Sequence, residues 1–196
     1  MKNQKPNLFE TVCLIAGVVL MVAALVLLLL WQVGIRTFAE QAASRVHTLR
    51  TLIPEPRGAV PEPRRDNTMP ALSLEGTDFI GILEMPKFGA SLPVGADWKN
   101  PVRYPCRFQG SIYDGSIQIG ATSQKGQYDF YREISPGDML YFTDMTGNRY
   151  TYTVTNIRYV NHADGDTLNC EEASLVLFIK NVYAFEYILI SCEIPE

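Results

Sequence analysis

The chain has 196 residues, 47% of them hydrophobic, and a formal net charge of −4. Its front portion leans basic, so the remainder is acidic, which disfavours nucleic acid as a partner. The sequence contains neither a glycine-rich phosphate loop nor a cysteine spacing typical of zinc sites. We therefore expect no cofactor and no metal.

Residues 12–33 form an uninterrupted apolar stretch that includes the run Leu27 to Leu30, followed by Trp31. About 20 such residues are enough to cross the hydrocarbon core of a membrane as a helix. A cleaved signal peptide is the alternative, but its apolar region usually has only about 7–15 residues. The sequence therefore predicts a short tail over residues 1–11 and a membrane-spanning helix over residues 12–33.

The next segment, residues 34–71, divides into a helix and a linker. Apolar residues recur at three- and four-residue spacings from Phe38 to Ile53, which predicts a juxtamembrane amphipathic helix. A helix lying on the lipid surface is one interpretation, but no lysine stripe accompanies the apolar face, so we favour a stalk. Five prolines between Pro54 and Pro70 predict a semi-rigid extended linker. The folded domain is therefore expected to begin at residue 72.

Residues 72–196 are enough for one compact domain, and their pattern is all-β. Short apolar and β-branched runs separated by turn residues predict strands over 79–85, 116–120, 139–143, 150–160, 175–179 and 187–192. Tyr128, Tyr131 and Ile134 lie at three-residue spacing and predict one short helical turn before Pro136. A closed or sandwiched sheet would bury such strands most economically.

Several segments of this domain carry a family resemblance. Residues 80–87 read Ile-Gly-Ile-Leu-Glu-Met-Pro-Lys, and Leu-Pro-Val follows at 92–94. Gly-Asp at 137–138 precedes Gly-x-x-Tyr-x-Tyr-x-Val at 147–154, and residues 174–180 read Ser-Leu-Val-Leu-Phe-Ile-Lys. In order and spacing these segments resemble the sortases. The resemblance implies an eight-stranded β-barrel with short helices, preceded by a single membrane helix, with the tail in the cytoplasm and the barrel outside.

Sortases cleave signals of the Leu-Pro-x-Thr-Gly type and transfer the acyl group to an amine, with a cysteine nucleophile, a histidine and an arginine. The resemblance places the cysteine position at Lys180 and the histidine position at Ala121. The arginine position falls at Tyr187, or at Glu186 if the register differs by one residue. These degenerate positions are expected to line one groove, and none retains the catalytic residue type, so fold and chemistry must be argued separately.

Lys180 has two interpretations. A lysine in an apolar groove can serve as a nucleophile or a base, but this one lacks a visible catalytic partner. The simpler interpretation is a cation that reaches solvent along its stem or pairs with Glu186.

Other thiols and imidazoles could take over the catalytic roles. The candidates are Cys13, Cys106, Cys170, Cys192, His47 and His162. Cys13 lies in the span, and we interpret the other cysteines as buried thiols and His162 as a surface-loop residue. A disulfide between Cys106 and Cys170 is a further alternative, because an exported domain permits disulfides and both predicted loops should flank the groove.

Two hypotheses of function follow, with a third that is less specific. The first is a pseudoenzyme, anchored in the cell membrane of a bacterium, that binds a sorting-signal-like peptide or a partner in surface-protein or pilus assembly. The second is an active cysteine transpeptidase or hydrolase with relocated catalytic residues. The third is a structural membrane protein with a vestigial groove. The sequence leaves the ligand and the oligomeric state open.

Overall fold

The computed structural model describes residues 8–62, 66–98, 103–161, 173–184 and 186–195. The chain divides into two units, Met1–Thr37 and Phe38–Glu196. Helix α1 (Leu8–Leu52) supplies the described part of the first unit and the front of the second. By its length and composition, α1 could cross a membrane, as judged from the described residues. Its most apolar stretch is not buried by protein. The apolar N-terminal helix is therefore a candidate membrane anchor.

The described part of the second unit forms a closed β-barrel. Its strands are β1 (Arg57–Gly58), β2 (Leu72–Leu74), β3 (Thr77–Met85), β4 (Ala90–Gly95), β5 (Cys106–Ser111), β6 (Ser116–Thr122), β7 (Met139–Asp144), β8 (Asn148–Val160), β9 (Leu175–Lys180) and β10 (Tyr187–Glu193). Eight of them close in the order β3-β4-β5-β6-β9-β10-β8-β7, with β7 pairing back to β3. Strand β1 extends the sheet from β8, and β2 extends it from β3. The predicted eight-stranded barrel is confirmed.

Strand β9 is apolar over five consecutive residues because both of its faces are buried. Leu177 and Ile179 point into the barrel interior and are 0% exposed. Val176 and Phe178 point to the outer face, where they pack with Leu189 of β10. The chain thus places its most hydrophobic strand where neither face meets water.

The strands predicted from the sequence pattern are present, with ends within two residues of those expected. The predicted helical turn is a short 3₁₀ helix, Asp129–Arg132, flanked by the buried Tyr128 and Ile134. Strands β4 and β5 did not stand out in the sequence. Pro93 lies inside β4, and polar Arg107 and Gln109 weaken the apolar pattern of β5.

The helix predicted over residues 38–53 is present, but it is not a stalk. From Phe38 onward, α1 belongs to the barrel unit. Its apolar face, with Leu49 0% exposed and Val46 5% exposed, packs on Phe79 and Ile82 of β3. The helix docks because these barrel residues form an apolar outer patch that would otherwise face water.

Ion pairs flank this docked helix on the same side of the barrel. Arg50 donates to Glu84 at 2.6 Å, and Arg45 lies 3.4 Å from Glu75. Arg149 of β8 also reaches Glu84, at 3.2 Å. Partly exposed pairs of this kind contribute only about 0–1 kcal/mol each, so the apolar contacts supply most of the docking energy.

The proline-containing linker is also attached to the barrel. The backbone N–H of Arg57 donates to Gly147 O at 2.9 Å, and that of Ala59 donates to Arg149 O at 3.0 Å. These bonds add β1 to the sheet alongside β8. The compact unit therefore takes in residues 38–62, which the sequence had placed ahead of the domain.

The docked helix gives a stability prediction. Leu49→Ala should lower the free energy of unfolding of the barrel by about 2–5 kcal/mol, because it removes a fully buried leucine from a packed interface. His47→Ala, on the exposed side of the same helix turn, should change it by no more than about 0.5 kcal/mol. Urea denaturation followed by circular dichroism measures both. Equal midpoints for the two variants would support a stalk instead.

Candidate functional site

The candidate site lies where β6, β9 and β10 end side by side. Thr122 of β6 is paired with Lys180 of β9, and Lys180 is paired with Tyr187 of β10. Directly paired residues point to the same face of a sheet. Thr122, Lys180 and Tyr187 therefore form a row on the outer face of the barrel, and Lys180 is exposed at its centre.

Ala121 lies at the same strand end but on the other face of the sheet. It is paired with Ile179, is 1% exposed and belongs to the interior core. The structure thus brings Lys180 and Tyr187 together and places Ala121 behind them. The assignment of these positions to the catalytic residues of the sortases stays a prediction.

Thr122 of this row and polar side chains beside it form a hydrogen-bonded cluster, which we call the strand-end network (Thr122, Ser123, Gln127, Asn181 and Glu186). The Oε1 atom of Gln127 accepts from the backbone N–H of Thr122 at 2.7 Å and from its hydroxyl at 2.9 Å. The Ser123 hydroxyl contacts Asn181 Oδ1 at 3.3 Å, and Asn181 Nδ2 donates to Glu186 Oε1 at 2.7 Å. The network holds the β6 end against the β9–β10 turn.

The burial of the strand-end network explains why its polar side chains are hydrogen-bonded to one another. Thr122, Ser123, Gln127 and Asn181 are at most 7% exposed. Buried polar groups are stable only when they are hydrogen-bonded, and these groups satisfy one another. Sequence reasoning missed them, although polar residues directly after the apolar ends of β6 and β9 were a usable signal.

Aromatic rings cover the outer face next to the row. Phe178 and Tyr187 stack with their centroids 5.3 Å apart, and Trp98 lies 5.3 Å from Phe108 and 6.2 Å from Phe178. A Cβ atom on Gly120 would overlap the Trp98 ring, so glycine is required for the indole to lie on β6. Phe178 is only 5% exposed, so the rings cover the outer face over the middle of β9. The accessible part of this face is its rim near Lys180.

The described thiols of the barrel are poor nucleophiles because they are buried. Cys106 and Cys192 are 0% exposed. Burial raises the pKa of the Cys192 thiol well above its ordinary value, and the nearby carboxylate of Glu193 raises it further. Cys192 is therefore a protonated thiol at neutral pH.

The remaining candidates that the structure describes, His47 and Cys13, do not join the row. His47 is exposed on the docked helix, and Cys13 lies in the apolar front of α1. His162 and Cys170 lie outside the described residues, as does the suggested Cys106–Cys170 pairing. Among the described residues, no group of three or more His, Cys, Asp or Glu side chains could hold a metal ion.

Comparisons with solved structures decide the fold. Sortase C1 from Streptococcus suis matches with a TM-score of 0.51 and 16% identity over 60% of this chain and 73% of that chain. A lid mutant of sortase A from Corynebacterium diphtheriae matches with a TM-score of 0.51 and 17% identity, over 61% of this chain and 72% of that one. Sortase C from Clostridium perfringens with the C-terminal cell wall sorting motif matches with a TM-score of 0.50 and 16% identity, over 61% and 71%.

The barrel has the sortase fold. At these identities the likeness describes the architecture alone. No family model matches the chain, and neither does any curated protein. The sortase-like barrel therefore has to be interpreted through its own side chains.

Thiol reactivity tests the electrostatics of this sortase-like barrel. Cys192 in the folded protein should resist alkylation by iodoacetamide at mildly alkaline pH, because it is buried and its pKa is raised. The same cysteine should react fully once guanidinium unfolds the chain, which provides the control. Peptide mapping by mass spectrometry measures the modification site by site. Rapid labelling of Cys192 in the folded protein would show that the thiol is accessible and activated.

Proposed function

We propose that this protein is a membrane-anchored, sortase-like pseudoenzyme whose barrel lies outside the cytoplasm. It binds a sorting-signal-like peptide, or a partner protein carrying one, in surface-protein or pilus assembly and does not cleave it. The observation that carries the proposal is Lys180, an exposed amine at the end of β9 between Thr122 and Tyr187. By resemblance, an active sortase has its cysteine at this position.

The chemistry of the row supports loss of activity. Acyl transfer needs a thiolate nucleophile, a proton donor for the leaving amine and a group that stabilises the oxyanion. The row offers the ammonium of Lys180, a phenol and the Thr122 hydroxyl, which is bonded to Gln127. Cys106 and Cys192, the described thiols of the barrel, are buried. Among the described residues, the row itself therefore presents no thiol to act as the nucleophile.

The rim of the site supports binding. Lys180 is exposed, Tyr187 is half-buried beside it, and Trp98 is 38% exposed. An ammonium group next to aromatic rings suits a peptide that combines a carboxylate with apolar residues. The Clostridium perfringens sortase C matched above was solved with its C-terminal cell wall sorting motif, which supports a ligand of this class on the same architecture.

Restoration of the catalytic groups tests the absence of chemistry. Wild-type protein should give no turnover with a Leu-Pro-x-Thr-Gly peptide and an amine acceptor, and Lys180→Cys alone should give little, because the three catalytic groups act together. Lys180→Cys combined with Tyr187→Arg and a histidine should recover part of the activity. Histidine at position 122, on the same face as Lys180, should do better than histidine at position 121, which faces the core.

The measurement is covalent capture of the introduced thiol by an electrophilic sorting-signal analogue, together with product formation. Cys106→Ala, Cys170→Ala and Cys192→Ala variants of the wild type are the controls. If the wild type turns over substrate and one of these changes abolishes it, the active enzyme with a relocated site is the correct function.

Binding should depend on charge. Lys180→Gln should weaken the binding of an acidic sorting-signal peptide roughly two- to fivefold, as the loss of about 0.5–1 kcal/mol from an exposed ion pair implies. Arg57→Gln removes the same charge from β1, near the β7–β8 turn, and should leave the affinity unchanged. Isothermal titration at low and at high salt measures both, and added salt should reduce the difference. Equal affinity for neutral and acidic peptides at low salt would contradict a role for Lys180.

A further inference from the structure

The docked helix touches the turn that leads from β6 into the strand-end network. Gly126 in this turn has a φ of +82°, and a Cβ atom built on it would lie 2.6 Å from Ala39 Cβ and 2.8 Å from Ala39 Cα. Such distances are shorter than van der Waals contact, so the helix backbone and the turn approach each other closely only because residue 126 is glycine. The helix therefore packs directly against this turn.

The residue after Gly126 connects the turn to the site. Gln127 is 3% exposed, and its Oε1 atom holds both the backbone N–H and the hydroxyl of Thr122. The backbone N–H of Tyr128 returns a bond to Thr122 O at 3.2 Å, and that of Ser123 donates to Lys180 O at 3.1 Å. A continuous path of contacts thus runs from the helix through Gly126 and Gln127 to the strand ends at Thr122 and Lys180.

The far end of the docked helix is held independently of this turn. Leu49 and Ile53 pack in the outer-face cluster with Tyr104 and Cys106, and Arg50 binds Glu84. Ala39 and Leu52, the last residue of the helix, are separated by about 20 Å at 1.5 Å per residue. The helix can therefore be loosened at one end without changing any residue of the strand-end network.

We propose that residues 39–52 act as a latch. Docked on the barrel, they hold the 123–128 turn in place and so keep the hydrogen bonds of the strand-end network formed beside Lys180. Release of the helix loosens the turn and alters the shape of the rim. The effect on a bound peptide rests on the proposed function, whereas the coupling between helix and turn rests on the contacts alone.

Hydrogen exchange in the full chain, held in lipid nanodiscs, measures the coupling. Leu49→Ala should speed exchange of the Thr122 and Tyr128 amides at least about threefold more than that of the Val154 amide, which is bonded to Asp138 O. His47→Ala, on the exposed side of the helix, should change none of them. Equal acceleration at all three amides would be explained by the lower global stability of Leu49→Ala alone and would overturn the latch, as would no acceleration at Thr122 and Tyr128.

A pair of glycine variants tests the contact from the other side. Gly126→Ala and Gly137→Ala both place a side chain at positive φ, and both lie between β6 and β7, but nothing lies within 4 Å of a Cβ on Gly137. Gly126→Ala should speed exchange over residues 39–46 at least about threefold, whereas Gly137→Ala should leave that segment unchanged. The same response from both variants would overturn the latch.

A final measurement separates the latch from the proposed function. The acidic sorting-signal peptide is titrated into wild type, Leu49→Ala and His47→Ala, and a change of affinity confined to Leu49→Ala supports regulation of the site by the helix. Unchanged affinity overturns that regulation. If the exchange rates show the coupling but no peptide binds, the proposed function is overturned and the latch is kept. If the peptide binds but the exchange rates show no coupling, the latch is overturned and the proposed function is kept.

Discussion

The burial of β9 on both faces is the constraint on which the rest of the structure depends. A strand without a wet face needs a hydrogen-bonded neighbour on each edge and a cover on each side. Strands β6 and β10 provide the edges, the barrel core covers Leu177 and Ile179, and aromatic rings cover Phe178. Lys180, the last residue of β9, is the first that is exposed. The buried strand therefore ends at the exposed rim of the candidate site.

Aromatic rings and the docked helix cover different parts of the outer surface of the barrel. Beside β9, large rings pack on the sheet, with Trp98 seated on Gly120. On β3 and β5, the amphipathic part of α1 serves the same purpose with Val46 and Leu49. The helix is therefore a structural part of the barrel unit and not a spacer in front of it. Because it also reaches the turn at Gly126, the segment that continues from the candidate membrane anchor contacts the site region.

The same architecture separates the stability of the barrel from the side chains at its strand ends. The stability of the barrel comes from apolar residues in the middle of its strands, whereas the row at Lys180 lies at strand ends that contribute little to the core. Backbone and side-chain polar groups at these ends still need partners, and Ser123, Gln127 and Asn181 supply them. The strand-end network thus keeps the β6, β9 and β10 ends ordered.

Local patterns were enough to predict the apolar span, the main strands and the turn at Tyr128, because hydrophobic periodicity reflects burial within a single segment. Several segments that resemble sortase motifs in order and spacing extended this prediction to the closed barrel. The docking of the helix, the choice between Ala121 and Thr122 as the neighbour of Lys180, and the contacts of Gln127 were decided by tertiary structure alone. Each depends on which residues of distant segments meet and on which face of a strand each side chain lies, and a shift of one residue reverses that face.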